Sequence, residues 1–247
     1  MKSLILAFQF LTILPLPHQN LQDKHFGQSM MFFPLVGLFI GGTLYALHLL
    51  AEYQNVFSSR VEAFLLLFVS TLLSRALHVE GFADFLDGFL GGQSRANILE
   101  IMQDSRAGVF AVIGVVLLLL GKYVALCEVL DSNKLLLVVT VPVLARWGMV
   151  LLFYRAQDPR KKGGLARPFL QSLRGGHVLV GSVLAVSISF FLLRFAAIPF
   201  ILLTLTTMWL VRKVATRQIA GVTGDVAGAC AELTELLLLL VGSTVWL

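Results

Sequence analysis

Between two long apolar runs lies the stretch HVEGFADFLDG (residues 78–88), followed shortly by DSRAG (residues 104–108). Its carboxylates Glu80, Asp84 and Asp87 are spaced i, i+4, i+7, which places them on one face of a helix. Three like charges on one face repel each other unless a cation lies between them. Oxygen ligands without a Cys or His pair are typical of Mg²⁺ or Mn²⁺ sites. The alternative interpretation is a solvated acidic loop.

The composition is typical of an integral membrane protein. Of the 247 residues, 57% are hydrophobic and 13% are charged, and the mean hydropathy is +0.87. Soluble domains carry about 25% charged residues. A single domain over residues 1–247, surrounded by membrane lipid, is the simplest organisation. No nucleic-acid partner is expected, and Cys127 and Cys230 form neither a disulfide framework nor a metal-binding spacing.

The apolar segments predict an all-α membrane bundle with about seven transmembrane helices, since about 20 residues cross a bilayer. The spans are expected at residues 30–50, 61–79, 107–130, 135–154, 177–193, 196–211 and 226–247. The fifth and sixth spans should form a hairpin at Arg194. The run at residues 4–16 is too short to cross, has no cleavage site after it, and is expected to form a short interfacial helix. Gly37, Gly41 and Gly42 offer close helix packing.

The loops between these spans alternate in charge. One side of the membrane receives thirteen of the nineteen basic residues and the other side three. The thirteen are Lys2, Lys24, Arg95, Arg106, Arg155, Arg160, Lys161, Lys162, Arg167, Arg174, Arg212, Lys213 and Arg217, and the three are Arg60, Lys134 and Arg194. The excess of basic residues in cytoplasmic loops predicts a cytoplasmic N-terminus. The acidic motifs then lie at the cytoplasmic face.

A second set of acidic residues falls on the same side. Asp104 and Asp225 each precede a predicted span, as an N-cap or as a metal ligand. Glu232 and Glu235 stand about two turns inside an apolar span, where carboxylates are costly and usually functional. Asp225 and Glu232 share a helix face. A shared site with one or two metal ions is therefore predicted. Its candidate ligands are Glu80, Asp84, Asp87, Asp104, Asp225 and Glu232.

Basic residues accompany the carboxylates. Arg75, Lys122 and Arg146 lie within spans and should face the bundle interior, where they either pair with the acids or contact phosphates. Arg106 stands at a helix start, which suits a phosphate. The loop at residues 155–176, with Arg167, is either ordinary cytoplasmic positive charge or a clamp on an anionic substrate.

These groups together suit phosphoryl transfer, in which metal ions and basic side chains stabilise charge on phosphate oxygens. His78 is a hydrogen-bonding partner or a base. There is no P-loop and no arrangement around a nucleophilic Ser or Cys. Direct attack by a substrate hydroxyl is therefore the simpler scheme.

Five motifs in order resemble the cobalamin synthase family, also called adenosylcobinamide-GDP ribazoletransferase. They are FQFLTILPLP (8–17), FPLVG (33–37), HVEGFADFLDG (78–88), IMQDSRAG (101–108) and GDVAGACAE (224–232). The resemblance covers nearly the whole chain, and the order of the motifs is more specific than any one of them. The family often has Asp where this chain has Glu80, which keeps the carboxylate and adds one methylene.

The resemblance implies a multi-pass enzyme of the bacterial or archaeal cytoplasmic (inner) membrane that depends on Mg²⁺. A ribose hydroxyl of α-ribazole, or of its 5′-phosphate, attacks the cobinamide-side phosphorus of adenosylcobinamide-GDP. GMP leaves, and adenosylcobalamin or its 5′-phosphate forms. For this reaction we hypothesise four metal ligands, Glu80, Asp84, Asp87 and Asp104, with Asp225 and Glu232 as further ligands or base. The candidate catalytic residues are His78, Asp84, Asp87, Asp104 and Glu232, and the candidate phosphate contacts are Arg106, Lys122, Arg146 and Arg167. A second copy or other corrinoid-pathway enzymes are candidate partners.

Two other functions remain open on the residues alone. A CDP-alcohol phosphotransferase also uses membrane carboxylates and Mg²⁺, but its Asp-Gly-x-x-Ala-Arg run is missing after Gly88. A cation transporter would use Glu232 and Glu235 to line a path. Transporters commonly carry internal repeats, which this sequence lacks, and the acids crowd one face of the membrane.

Overall fold

The computed structural model describes residues 1–17, 22–54, 57–160 and 163–244. Within these ranges every regular element is helical, which confirms the all-α prediction. The helices are α1 (Lys2–Leu11), α2 (Asp23–Ser29), α3 (Phe33–Gln54), α4 (Ser59–Leu73), α5 (Leu77–Gly91), α6 (Arg95–Ile101), α7 (Val109–Asp131), α8 (Leu136–Phe153), α9 (Arg167–Ser172), α10 (Gly175–Leu193), α11 (Ala197–Ile219) and α12 (Gly224–Thr244). Lys161, Lys162 and the end of the last predicted span, residues 245–247, lie outside the described residues.

Five helical stretches are long and apolar enough to cross a membrane, with Gly175–Ile219 counted as one stretch. The bent pair α4–α5, taken together as one span, would be a sixth. The number of seven is therefore not confirmed. The second span, predicted at 61–79, is interrupted: α4 ends at Leu73 and the chain turns by 86° into α5. Arg75 and Ala76 form the turn with φ of 54° and 53°, a conformation that stops a helix. Arg75 is exposed there, so the prediction that it faces the bundle interior is wrong.

The segment Gly175–Ile219 is broken in the middle by a 3₁₀ turn at Arg194–Ala196. A Cβ on Gly175, at the start of α10, would lie 3.2 Å from the hydroxyl of Tyr154. After the end of α11, the amide of Val222 donates to the carbonyl of Gln157. Both outer ends of the segment therefore meet the loop that follows α8, as the predicted hairpin requires.

Helix α8 forms the centre of the bundle, and nearly all of its side chains are buried. Helix α3 packs closely against it because Gly37 and Gly41 have no side chains to separate the two backbones. A Cβ on Gly41 would lie 2.6 Å from the Cα of Val139, and one on Gly37 would overlap the backbone of Pro142. Gly42 has open space around it, so close packing is confirmed for two of the three predicted glycines.

The outward faces of several helices are apolar, as expected of surfaces in lipid. On α4, the exposed side chains Phe64, Phe68 and Leu72 recur every four residues. Helix α1 is shorter than the apolar run predicted for it and buries Leu6 and Leu11 against the bundle.

Candidate active site

Helix α5 crosses the first turns of α12 at close range. A Cβ on Gly81 would lie 3.0 Å from the Cα of Asp225, and one on Gly228 would lie 3.0 Å from the carbonyl oxygen of His78. Small residues at both contact points let the two backbones approach. The crossing brings the acidic face of α5 beside the start of α12.

A cavity of about 150 Å³ opens at this crossing. Its polar lining consists of His78, Glu80, Asp84, Arg160 and Asp225. Apolar side chains, among them Phe10, Met149 and Phe153, form the rest of its wall. Three of the six predicted metal ligands therefore share one cavity, together with one basic side chain.

Arg160 holds Asp225 from the loop that follows α8. Its Nη2 donates to Oδ2 of Asp225 at 2.5 Å, and the hydroxyl of Thr223 donates to the same oxygen at 3.2 Å. Thr223 also accepts a hydrogen bond from the amide of Val226. The N-terminus of α12 is therefore capped by Thr223, and Asp225 is not its cap.

Asp87 lies at the same end of α5 but serves another contact. Its Oδ2 accepts a hydrogen bond from the amide of Gly108 at 2.6 Å, and its Oδ1 accepts one from the amide of Ala111 at 2.8 Å. These are unpaired amides at the start of α7, which favour a negative charge. Asp87 thus caps α7 from a different helix, in the role that the sequence suggested for Asp104.

Asp104 pairs with Arg106 at the protein surface. The guanidinium donates three hydrogen bonds to the carboxylate, the shortest of 2.6 Å. These hydrogen bonds lower the pKa of Asp104 to about 2, so the carboxylate is ionised at neutral pH. Neither residue lines the cavity at the crossing of α5 and α12. Their predicted roles as metal ligand and phosphate contact stay predictions.

Glu232 lies deeper in the bundle, in a buried network of charges. Nζ of Lys122 donates to Glu232 at 2.5 Å and to Glu235 at 2.6 Å. Arg146 forms a second ion pair with Glu235. All four side chains are buried, and two positive charges balance two negative ones. The structure therefore favours the interpretation that Lys122 and Arg146 pair with acids, because no charge is left over for a phosphate.

His78 connects this network with the cavity. Nη2 of Arg146 lies 3.4 Å from its Nδ1, and an arginine can only donate. With Nδ1 as acceptor, the neutral ring carries its proton on Nε2. Nε2 is buried and has no hydrogen-bond partner within the described residues. This tautomer favours the hydrogen-bonding role of His78 over that of a base.

Some of these assignments were beyond sequence reasoning. Arg160 was only one of many basic loop residues, and nothing in the sequence distinguished it from Arg167, which is exposed. The sequence did indicate that Lys122 would pair with acidic residues, since charges inside apolar spans need partners. It gave no indication that Asp87 caps α7, because α5 and α7 meet only in the folded chain.

The predicted shared metal site is not preassembled. Among the residues that the structure describes, no group of three or more His, Cys, Asp or Glu side chains is arranged to hold a metal ion. Glu80, Asp84 and Asp225 share the cavity, whereas Asp87, Asp104 and Glu232 are engaged elsewhere. The metal ligands therefore stay a prediction.

Comparisons with known proteins agree on one family. The family model described as cobalamin-5-phosphate synthase matches residues 3–243. A relative from Chlorobaculum parvum, named adenosylcobinamide-GDP ribazoletransferase, is 34% identical over 96% of this chain and 92% of its own. One of the same name from Syntrophobacter fumaroxidans is 36% identical over 94% of each chain. No solved structure matches this chain.

The match extends from α1 to the end of α12, and it therefore includes every element that lines the cavity. It selects one of the three functions that the residues alone left open. This chain belongs to the cobalamin-5-phosphate synthase family.

Proposed function

We propose that this chain joins adenosylcobinamide-GDP to α-ribazole, or to its 5′-phosphate, in the last steps of cobalamin biosynthesis. A bond forms between the ribose hydroxyl oxygen and the cobinamide-side phosphorus, and the bond from that phosphorus to GMP breaks. The products are adenosylcobalamin or its 5′-phosphate, and GMP. The family match over residues 3–243 supports this reaction, and the relatives' name supplies its substrates.

The observation that carries the proposal is the cavity at the crossing of α5 and α12. It combines three carboxylates with the guanidinium of Arg160 and with Nε2 of His78, which has no hydrogen-bond partner in the described part of the chain. Arg160 suits phosphate oxygens because its planar group presents several donors. His78 in the tautomer described above donates from Nε2. Arg160 and His78 thus bring two donor groups to the lining of this cavity.

Glu80, Asp84 and Asp225 would hold Mg²⁺ after their side chains turn toward one another, since they share the cavity but are not arranged around an ion in this structure. Carboxylate oxygens are the ligands that this cation prefers, with water completing its shell. Oδ2 of Asp225 is engaged by Arg160 and Thr223, which leaves Oδ1 for a metal. When bound, a divalent cation neutralises phosphate oxygens and stabilises an anionic leaving group.

The attacking hydroxyl must lose its proton, and we assign Asp84 as the acceptor. Within the described part of the chain its carboxylate accepts no hydrogen bond, whereas Asp225 is held by two donors. Glu232 is a poorer proton acceptor because it forms an ion pair with Lys122. A half-buried carboxylate with an unused oxygen lies in the cavity where the hydroxyl would enter.

The cavity would open to the cytoplasm, with the enzyme in the cytoplasmic (inner) membrane. The loops around it, at residues 92–108 and 154–166, contain six basic residues, against one in the loop at residues 131–135. The side with more Lys and Arg is the cytoplasmic side. Both substrates are polar and reach the site from water.

The test uses the full chain purified in detergent, with adenosylcobinamide-GDP, α-ribazole 5′-phosphate and Mg²⁺. GMP release and formation of the complete corrinoid are measured together. We expect equal amounts of both products and no turnover with a chelator. Asp84→Asn and Asp225→Asn should each lower kcat by at least about a hundredfold, since a general base alone contributes 10²–10⁴-fold.

The matched control is Asp131→Asn, which removes an exposed carboxylate at the far end of α7. It should leave kcat unchanged. If Asp84→Asn kept the activity of the control, the assignment of the cavity would be wrong, even though the family membership would stand.

A further inference from the structure

A second and larger cleft adjoins the proposed site. It measures about 820 Å³ and lies between α6 and the loop that follows α8. One wall consists of Ala96, Leu99 and Glu100, which share a face of α6 at a spacing of i, i+3, i+4, and of Gln103 just after the end of that helix. The other wall contains Pro159, Arg160 and Gly163. Its volume is in the range of small-molecule sites.

Arg160 is shared by the two cavities. It lines the cavity at the crossing of α5 and α12, called here the carboxylate cavity, and it also lines the cleft. Its Nη2 is used by Asp225, but its Nε is buried without a hydrogen-bond partner within the described residues. A ligand that extended from the cleft into the cavity would pass this guanidinium. The part of the ligand beside Arg160 should therefore be anionic.

The position of the second wall is held by Arg95. Its Nη2 donates to the carbonyl of Pro159 at 3.3 Å, which ties α6 to the loop. The other donors of this guanidinium remain available beside the cleft, since an arginine carries five N–H groups. This hydrogen bond links the two walls of the cleft directly.

Glu100 gives the cleft its chemical preference. Its side chain is exposed in the cleft and forms no ion pair within the described residues. A carboxylate has two acceptor oxygens and no donor. Guanine presents two adjacent donors on its Watson–Crick edge, N1–H and the 2-amino group, and two acceptors, O6 and N7, that arginine binds. The benzimidazole of a ribazole nucleoside has no N–H donor for a carboxylate.

We propose that this cleft binds the guanosine part of the GDP-activated substrate. Glu100 accepts hydrogen bonds from N1–H and the 2-amino group, while Leu99 and Pro159 contact the faces of the base. Arg160 contacts the diphosphate at the junction with the carboxylate cavity. The proposal rests on the proposed function, because that function supplies the guanine nucleotide.

The experiment measures binding of GDP and of inosine 5′-diphosphate to the purified full chain by titration calorimetry. Inosine lacks the 2-amino group and is otherwise the same ligand. We expect the wild-type chain to bind GDP at least about tenfold more tightly, as for a hydrogen bond to a charged acceptor. Glu100→Gln should weaken GDP binding at least tenfold and abolish most of the preference. Glu128→Gln, an exposed glutamate on α7, should change neither.

A second variant tests the location without altering charge. Ala96 is exposed, so Ala96→Trp should fold and fill the cleft. It should weaken both nucleotides by a similar factor. Unchanged GDP binding in either Glu100→Gln or Ala96→Trp would overturn the proposal, as would equal affinity of the wild-type chain for the two nucleotides.

Turnover separates this proposal from the reaction itself. In the transfer assay, Glu100→Gln should raise the KM for adenosylcobinamide-GDP at least tenfold with little change in kcat. An active wild-type enzyme whose KM is unaffected by Glu100→Gln would retain the proposed function and lose the guanine site. GDP binding that depends on Glu100, in a wild-type chain without transfer activity, would support the guanine site and contradict the proposed function.

Discussion

Charged residues in the centre of the bundle are arranged to neutralise one another. Glu235 lies eleven residues after Gly224 in α12, about 16 Å along the helix axis. At that depth each unpaired charge would be costly. Lys122 and Arg146 remove the cost by pairing with Glu232 and Glu235. This buried network links α7, α8 and α12, and the predicted phosphate contacts of Lys122 and Arg146 stay predictions.

The network predicts a large loss of stability in Glu235→Gln. The change leaves Arg146 without its ion pair, and breaking a buried pair costs about 3–5 kcal/mol. Unfolding of the purified protein in mixed detergent, followed by circular dichroism, would measure it. The double variant Arg146→Gln with Glu235→Gln should recover part of the loss, because no unpaired charge remains. The exposed control Glu128→Gln should lie within about 0.5 kcal/mol of wild type.

At the scale of elements, helix packing depends on where glycines fall. Gly37 and Gly41 of α3 meet the backbone of α8, and Gly81 and Gly228 meet at the crossing of α5 and α12. The first pair builds the core, and the second pair forms the candidate site. Glycine thus sets the distance between the helices in both pairs, because a Cβ at these positions would lie too close to the neighbouring backbone.

Two neighbouring glycines of α3 provide a matched test. Gly37→Ala places a methyl group against the backbone of Pro142 and Val143, so the helices must separate, at a cost of about 1–3 kcal/mol. Gly42→Ala points into open space and should stabilise the helix by up to about 1 kcal/mol. The midpoint of unfolding in detergent compares them. Equal midpoints for the two variants would contradict the close packing of α3 on α8.

At the scale of the whole molecule, the contacts of the loops place the chemistry at one end. The cavity, the cleft and the surface pair Asp104–Arg106 all lie near the start of α7, the end of α8 or the start of α12. The turn at residues 132–134 and the Arg194 turn border a common pocket with Ser243 and Thr244, at the opposite end. One end of the molecule therefore carries the candidate site and the cleft, and the other end carries the two short turns.

The predicted membrane orientation, with the candidate site on the cytoplasmic side, can be measured. In a variant with Cys127 and Cys230 replaced by Ala, single cysteines are introduced as Ser105→Cys and Ser132→Cys. Both positions are exposed, at opposite ends of the bundle. A membrane-impermeant maleimide added to intact spheroplasts should label the cysteine at 132 only, and the one at 105 after lysis. The opposite pattern would place the candidate site outside the cytoplasm.

Reading the residues in order was enough to predict the fold class, the membrane character, the family and a candidate acidic site near residues 78–88. These follow from composition, spacing and motif order, which are properties of the linear chain. The helix ends were less predictable, since the break of the second span depends on the conformation of Arg75 and Ala76 rather than on hydropathy.

The partner of each charged side chain became clear only from contacts between helices that are far apart in the chain. Asp87 caps a helix that begins 22 residues later, Glu232 pairs with a lysine 110 positions away, and Arg160 reaches Asp225 across 65 positions. Hydrogen bonds and ion pairs depend on separations of about 3 Å, which linear spacing does not specify between elements. The residues predicted as one site were therefore divided by packing into a carboxylate cavity, a helix cap, a surface pair and a neutral buried network.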